Sequence, residues 1–136
     1  MKYTNKFKNK THFIKIKNKI NSSKLHFGNI GLISLNSSYL NSKEFDSCKN
    51  KILKLIKSKG KLIIKVNPFL GVTSKPIAIR MGKGKGMIDK WVIPTKKGTI
   101  LFEVVCSKEH LVHIKNSLEI ASNNLSISTK IITEYY

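Results

Sequence analysis

Apolar residues recur along this chain with two different periods, and the periods divide it into elements. In LHFGNIGLISLNSSYL (25–40) two short apolar runs flank a glycine–asparagine cluster. That pattern predicts strand, turn, strand, with Gly28, Asn29 and Gly31 in the turn. Phe45, Cys48, Ile52, Leu55 and Ile56 then fall at i, i+3, i+7, i+10 and i+11, one face of an amphipathic helix reaching about Lys59. Asn41 is the expected N-cap, Glu44 its capping-box partner, and Gly60 the left-handed residue beyond the C-terminus. KLIIKV (61–66) alternates, which predicts a strand with Leu62, Ile64 and Val66 on one face and Lys61 and Lys65 on the other. Pro68, Gly71 and Pro76 mark 67–76 as a loop. IAIRM (77–81) predicts a short strand with Ile77, Ile79 and Met81 inward and Arg80 outward. WVIP (91–94) and TILFEVV (99–105) predict two strands joined by a tight turn through Thr95–Gly98. Ser107 caps an expected second helix over about 108–124, with Leu111, Ile114, Leu118, Ala121 and Leu125 on its apolar face. ISTKII (127–132) closes the chain as a strand. Two helices and about six strands without β-α-β alternation predict an α+β domain with a largely antiparallel sheet.

Composition narrows what such a domain does. The 136 residues suit one domain with a real core. No apolar run reaches the length of a membrane span. The two cysteines, Cys48 and Cys106, are far apart and support neither a disulfide scaffold nor a zinc finger. Cys106, His110 and His113 lie close in sequence, but a fourth metal ligand is missing, so neither metal nor cofactor is expected. Seven acidic residues offer no catalytic carboxylate pair; Glu44 has a use as a cap and Glu109 in a helix first turn. No Ser/His/Asp arrangement can be argued either. The chain reads as a binding protein, not an enzyme.

Charge indicates the partner. Lys and Arg number 26 against 7 acids, a net charge of +19, and self-repulsion of that size favours a screening polyanion. Residues 1–66 hold 16 basic and 2 acidic groups, and residues 67–136 hold 10 and 5, so the first half should face it. The first 24 residues carry eight lysines and no acid. They read as a basic arm, with Lys6, Lys8, Lys10, Lys15 and Lys17 as candidate phosphate contacts that order on RNA, ahead of a single domain over 25–136. Ile14 and Ile16, alternating with lysines, allow a short strand there. The outer face of the first helix adds Lys49, Lys51, Lys54 and Lys57. Twenty-five of the 26 cations are lysine, which together with abundant Asn and Ile suggests an A+T-rich coding sequence. Against that bias the single arginine, Arg80, marks a position where a planar guanidinium matters.

Arg80 opens the most distinctive segment, MGKGKG (81–86). Alternate glycines bare the backbone for close approach, and Lys83 and Lys85 project from it. The segment is neither a P-loop nor a dinucleotide fingerprint, because both the spacing and a following helix are wrong. It suits a nucleic-acid backbone.

KPIAIRMGKGKGMIDKWVIPTKKGTILFEV (75–104) closely resembles the ribosomal large-subunit protein L-sixteen family, of the bacterial and organelle type. The family pattern K-P-x-x-x-R-M-G-K-G-K-G, a following W-V pair and G-x-[IV]-[LF]-[FY]-E stand here as Lys75, Pro76, Arg80, Met81, Gly82 to Gly86, Trp91, Val92, Gly98 and Leu101 to Glu103. FGNIGL (27–32), the helix opening at Asn41 and GKLIIKV (60–66) also fit, so the similarity spans nearly the whole chain at the length of a complete family member. The resemblance implies a hammerhead-like α+β domain, with two helices on an antiparallel sheet. It implies a structural role in the large subunit, near the central protuberance and the elbow of the A-site tRNA, in support of tRNA accommodation. The implied partners are large-subunit rRNA, A-site tRNA and secondarily P-site tRNA, and neighbouring large-subunit proteins, with no membrane. By the same resemblance Lys6 and Lys8 fall in the family's basic arm, Lys49, Lys54 and Lys57 in its basic helix, and Lys75 with Arg80, Met81, Gly82, Lys83, Gly84, Lys85 and Gly86 in its loop. The chain departs from the family at FIKIKNK (13–19), at Asn50 and Ser58, and at Leu125–Ser126–Ile127. The competing class is a free-standing basic nucleic-acid-binding or processing protein, for which a carboxylate or metal cluster would be needed to support chemistry.

Compartment follows from composition. The first residues lack the arginines of a mitochondrial presequence, and no N-terminal extension precedes the match. The expectation is a protein made inside an organelle, a mitochondrion ahead of a plastid, with the cytoplasm of an A+T-rich bacterium as the alternative.

Overall fold

A computed structural model describes residues 10, 11, 16 and 24–134. Lys6, Lys8, Lys15 and Lys17 of the expected arm lie outside the described residues, as do Ile14 and the side chain of Lys10. Strands run β1 Lys10–Thr11, β2 Ile30–Ser34, β3 Ser38–Asn41, β4 Gly60–Ile64, β5 Leu70–Ser74, β6 Met87–Thr95, β7 Ile100–Cys106 and β8 Thr129–Thr133. Helix α1 is Ser42–Ile56, and helix α2, Leu111–Ser122, follows a 3-10 turn over Lys108–His110. The fold is α+β, as expected, but it has two four-stranded sheets, ordered β1-β5-β6-β3 and β4-β7-β2-β8. All pairings are antiparallel except β1 with β5.

One core joins the sheets through the helices. Phe45, Cys48, Ile52 and Ile56 of α1 meet Ile114, Leu118 and Ala121 of α2 over Ile30, Leu32, Phe102 and Val104 of the second sheet, while Leu40 and Ile93 enter from the first. The rings of Phe45 and Phe102 stack with centroids 4.7 Å apart. Asn41 caps α1, its side chain accepting from the Lys43 N–H at 3.3 Å. Glu44 is used differently from the capping-box reading: its carboxylate accepts the Ser126 hydroxyl at 2.7 Å. Helix α1 ends at Ile56, where Lys57 takes a positive φ of 49°, and Gly60 begins β4. Lys51, expected on the outer cationic face of α1, donates to Asn124 at 3.2 Å beyond the end of α2.

Four expectations change because strand pairing is settled at long range. First, Gly31 lies inside β2, not in a turn. A Cβ there would stand 2.4 Å from Leu25 Cδ2, so the missing side chain lets Leu25 lie directly on the sheet. Second, residues 70–74 form a strand despite the nearby prolines, which flank it, while Gly71 sits under the Ile88 side chain. Third, the turn at 95–98 exists, with Thr99 N–H bonded to Lys96 O at 3.0 Å, yet β6 and β7 belong to different sheets. The turn is a corner between sheets, not a hairpin. Fourth, IAIRM (77–81) is not a strand: β5–β6 pairing stops at Ser74 and Met87, and the alternating segment has no partner strand among the described residues.

Cys48 is fully buried, and burial pushes its thiol up to about 12 against a smaller opposing pull from Lys51. Burial also raises Cys106. At pH 8 the folded protein should therefore leave Cys48 unalkylated while Cys106 reacts slowly. Peptide mass mapping after iodoacetamide treatment checks this, with labelling of Cys48 expected only once denaturant opens the core.

Candidate nucleic-acid interface

The hairpin β5–β6 ends in a twelve-residue loop, Lys75 to Gly86, that carries the glycine motif. Pro76 opens it with a turn, the Ile79 N–H bonding Pro76 O at 3.1 Å. Gly82, Lys83 and Gly84 follow at φ of 97°, 58° and 83°, three consecutive left-handed residues. Glycine takes this conformation freely, so the alternation lets the backbone curl tightly with a single strained residue, Lys83. Nothing lies within 4 Å of a Cβ placed at Gly82 or Gly84, so this backbone stands open to an incoming molecule. Gly86 is different: a Cβ there would meet Ser74 O at 2.4 Å, which ties the base of the loop to the end of β5. The Lys75 ammonium donates to Gly82 O and braces the curl from within. Lys75 is therefore a structural brace as well as a cation.

Apolar side chains expected inward point out. Ile77 and Ile79 are exposed and Met81 is 95 % exposed, because a loop beyond the end of a hairpin has no second layer to cover it. Arg80, Lys83 and Lys85 are exposed on the same loop. A concavity of about 560 Å³ lies between the loop and the hairpin, lined by Ser74, Lys75, Ile79, Gly84, Met87 and Asp89 among others. The structure thus brings Lys75, Arg80, Met81, Gly82, Lys83, Gly84, Lys85 and Gly86 together. Lys49, Lys54 and Lys57 belong to a separate element, α1 and its C-cap, with Lys54 and Lys57 exposed and Lys49 half-buried.

Two carboxylates that the charge pattern did not single out fix the segment entering β2. Glu103 of β7 is fully buried. Its Oε2 accepts the N–H groups of Phe27 at 3.0 Å and Gly28 at 3.3 Å. Its Oε1 accepts the His26 N–H at 3.3 Å and faces Lys65 Nζ at 3.5 Å. Burial alone would push its pKa up, but the N–H groups of Phe27, His26 and Gly28 and the Lys65 charge together hold it below the usual carboxylate value. Glu134 Oε1 accepts the Leu25 N–H at 3.3 Å. The sequence signal was a lone acid inside the apolar run of TILFEVV, at a strand position where a charge needs partners. Among the described residues no three His, Cys, Asp or Glu side chains are placed to hold a metal, and His113 instead sits 3.2 Å from Leu55 O.

Fold and surface together define a small, strongly basic α+β domain that presents a glycine-rich cationic hairpin. Comparison with known proteins names its family. The profile of the family described as ribosomal protein L16p/L10e matches residues 1–132. The chain is 39 % identical over 111 residues to large ribosomal subunit protein uL16 of Kosmotoga olearia, covering 82 % of this chain and 77 % of that one. It is 34 % identical over 124 residues to the protein of the same name from Ureaplasma urealyticum, covering 90 % and 88 %. The corresponding protein of Malacoplasma penetrans is 37 % identical over 106 residues, covering 78 % and 74 %. This chain belongs to the L16p/L10e family of ribosomal proteins.

Proposed function

We propose that the chain is a structural constituent of the large ribosomal subunit that binds large-subunit rRNA and supports tRNA accommodation. The observation that carries this reading is the exposed 75–86 loop, where Arg80, Lys83 and Lys85 surround a bare left-handed backbone in a chain that matches a ribosomal family over 1–132. Cations on such a loop neutralise phosphates and release counterions, while the open backbone allows approach closer than side chains permit. In this reading the loop and the arm cations Lys6, Lys8, Lys10, Lys15 and Lys17 face the RNA near the central protuberance and the A-site tRNA elbow, and Lys49, Lys54 and Lys57 add phosphate contacts from α1. Neighbouring large-subunit proteins and A-site tRNA complete the surroundings, with P-site tRNA as a secondary contact.

The experiment is sedimentation of a tagged chain in its own cell extract. It should co-migrate with the large subunit at low and moderate salt and leave it progressively at high salt. A chain that sediments free at every salt concentration removes the proposal. The compartment proposed is the mitochondrial matrix, supported by the bias of 25 lysines to one arginine. The bacterial uL16 relatives equally suit a plastid or bacterial ribosome. Fractionating organelles before sedimentation separates these, and recovery outside mitochondria would move the assignment.

A further inference from the structure

The second sheet presents an aromatic ring far along the chain from the glycine loop. Helices cover one face of this sheet. The other face is crossed by residues 25–28, with Leu25 lying over Gly31 and packed with Ile33 and Ile100. Glu103 receives the N–H groups of Phe27 and Gly28, so the backbone beneath the Phe27 side chain is pinned to β7. The ring itself is not packed into the core: Phe27 is 70 % exposed. Lys65 Nζ stands 4.9 Å from its centroid and covers one side. Leu62 and Ile64 face the core, so Lys61 and Ile63 of β4, with Lys65 just beyond its end, lie on the outward face of the sheet, the side crossed by Phe27. Val105, paired with Lys61, adds a 37 % exposed apolar surface beside them.

An exposed phenylalanine held on a fixed backbone costs a soluble protein apolar hydration and adds nothing to its core. The surroundings define what covers it. Lys65 covers one side of the ring, Lys61 lies further along the same face of β4, and the two carboxylates touching residues 25–28, Glu103 and Glu134, already accept backbone N–H groups. A flat π-face beside a cation, over an antiparallel sheet, complements an unpaired nucleobase and its phosphate.

We propose that Phe27 is a stacking platform for one unpaired base of large-subunit rRNA, sandwiched with Lys65 on the far side of the ring and with Lys61 taking an adjacent phosphate. This rests on the ribosomal reading above and adds to it a second contact, distinct from the 75–86 loop. The base approaches the open ring face, and the ring needs no rearrangement because Glu103 already fixes its backbone.

The test is equilibrium binding of the full chain to transcribed large-subunit rRNA at three salt concentrations, with an unrelated RNA of equal length as control. Phe27→Leu keeps an apolar group but loses the π-face, and should weaken binding roughly 5- to 150-fold at every salt concentration, with the salt slope unchanged. Phe27→Trp keeps the face and should bind like the parent. Lys61→Gln should instead lower the salt slope by about 0.7, the signature of one lost single-strand phosphate contact. Thermal melting of Phe27→Leu should match the parent, since the exposed ring carries little packing. Unchanged affinity for Phe27→Leu overturns the stacking proposal and leaves the ribosomal reading intact. Equal losses in the Leu and Trp variants overturn it too, because packing would then be the ring's role. Unchanged RNA affinity with failed incorporation into the subunit overturns it in favour of a protein neighbour. A parent chain that binds rRNA no better than the control RNA would instead remove the ribosomal reading itself.

Discussion

Replacing Glu103 with alanine should destabilise the domain by about 3 kcal/mol, because three backbone N–H groups lose their acceptor at about 1 kcal/mol or more each. Lys65 also loses its partner, but it is partly exposed and turns to water. Out of a total stability of about 5–15 kcal/mol the loss is large, and it should lower Tm by about 10 °C. Glu103→Gln keeps one acceptor oxygen and should cost about half as much. The pH dependence separates the two effects. The folded Glu103 carboxyl titrates below the usual carboxylate value, so its stabilisation is present above that value and is lost as pH falls through the folded pKa. The parent should therefore lose stability progressively on acidification below about pH 4.5. Glu103→Gln has no carboxylate to protonate and should show a flatter acid limb. Denaturant melts at several pH values check this, and parallel acid limbs for the two proteins would show that Glu103 is not the group responsible.

The second large effect concerns the glycine loop. Neutralising Arg80, Lys83 and Lys85 together as glutamines should reduce the slope of log K against log salt for rRNA binding by about 2–3, as three phosphate contacts disappear. Glutamine keeps a polar, similarly sized side chain at exposed positions, so the fold should be unaffected. Within the three, Arg80 is expected to differ in kind. Lysine at position 80 retains the charge but gives up the rigid two-donor fork. If the fork reads a base edge, Arg80→Lys should cost on the order of 1–3 kcal/mol of binding with little change of salt slope. Lys83→Arg and Lys85→Arg keep the charge and should change little. Filter binding across a salt series, followed by large-subunit assembly in a reconstituted system, measures both. Arg80→Lys that assembles like the parent would make the lone arginine a remnant of coding bias.

These two sites differ in how far they could be read from the chain. The loop residues were legible as a motif, because K-P-x-x-x-R-M-G-K-G-K-G is contiguous. The left-handed run at Gly82, Lys83 and Gly84 was not, nor was the bracing of Lys75 against Gly82 O. Glu103 was visible only as an acid in an apolar strand. Its partners lie 75 to 77 residues earlier, and no local pattern joins them.

Features that depend on neighbours within a turn or two are legible in the chain alone. Helix α1 with its Asn41 cap, the apolar face of α2, the alternation of β4, the apolar run of β7, the α+β class and the cationic surplus all follow from local period, capping chemistry and composition. The assembled fold alone settled which strands share a sheet. It divided β6 from β7 at the 95–98 corner, made a strand of 70–74 and put Gly31 beneath Leu25. It left Ile77, Met81 and Phe27 outside the core. The physical reason is that a strand is half of a hydrogen-bonded pair. Apolar alternation says that a segment could have an inner face, but a partner strand and a covering layer, supplied by residues far away in sequence, decide whether it has one.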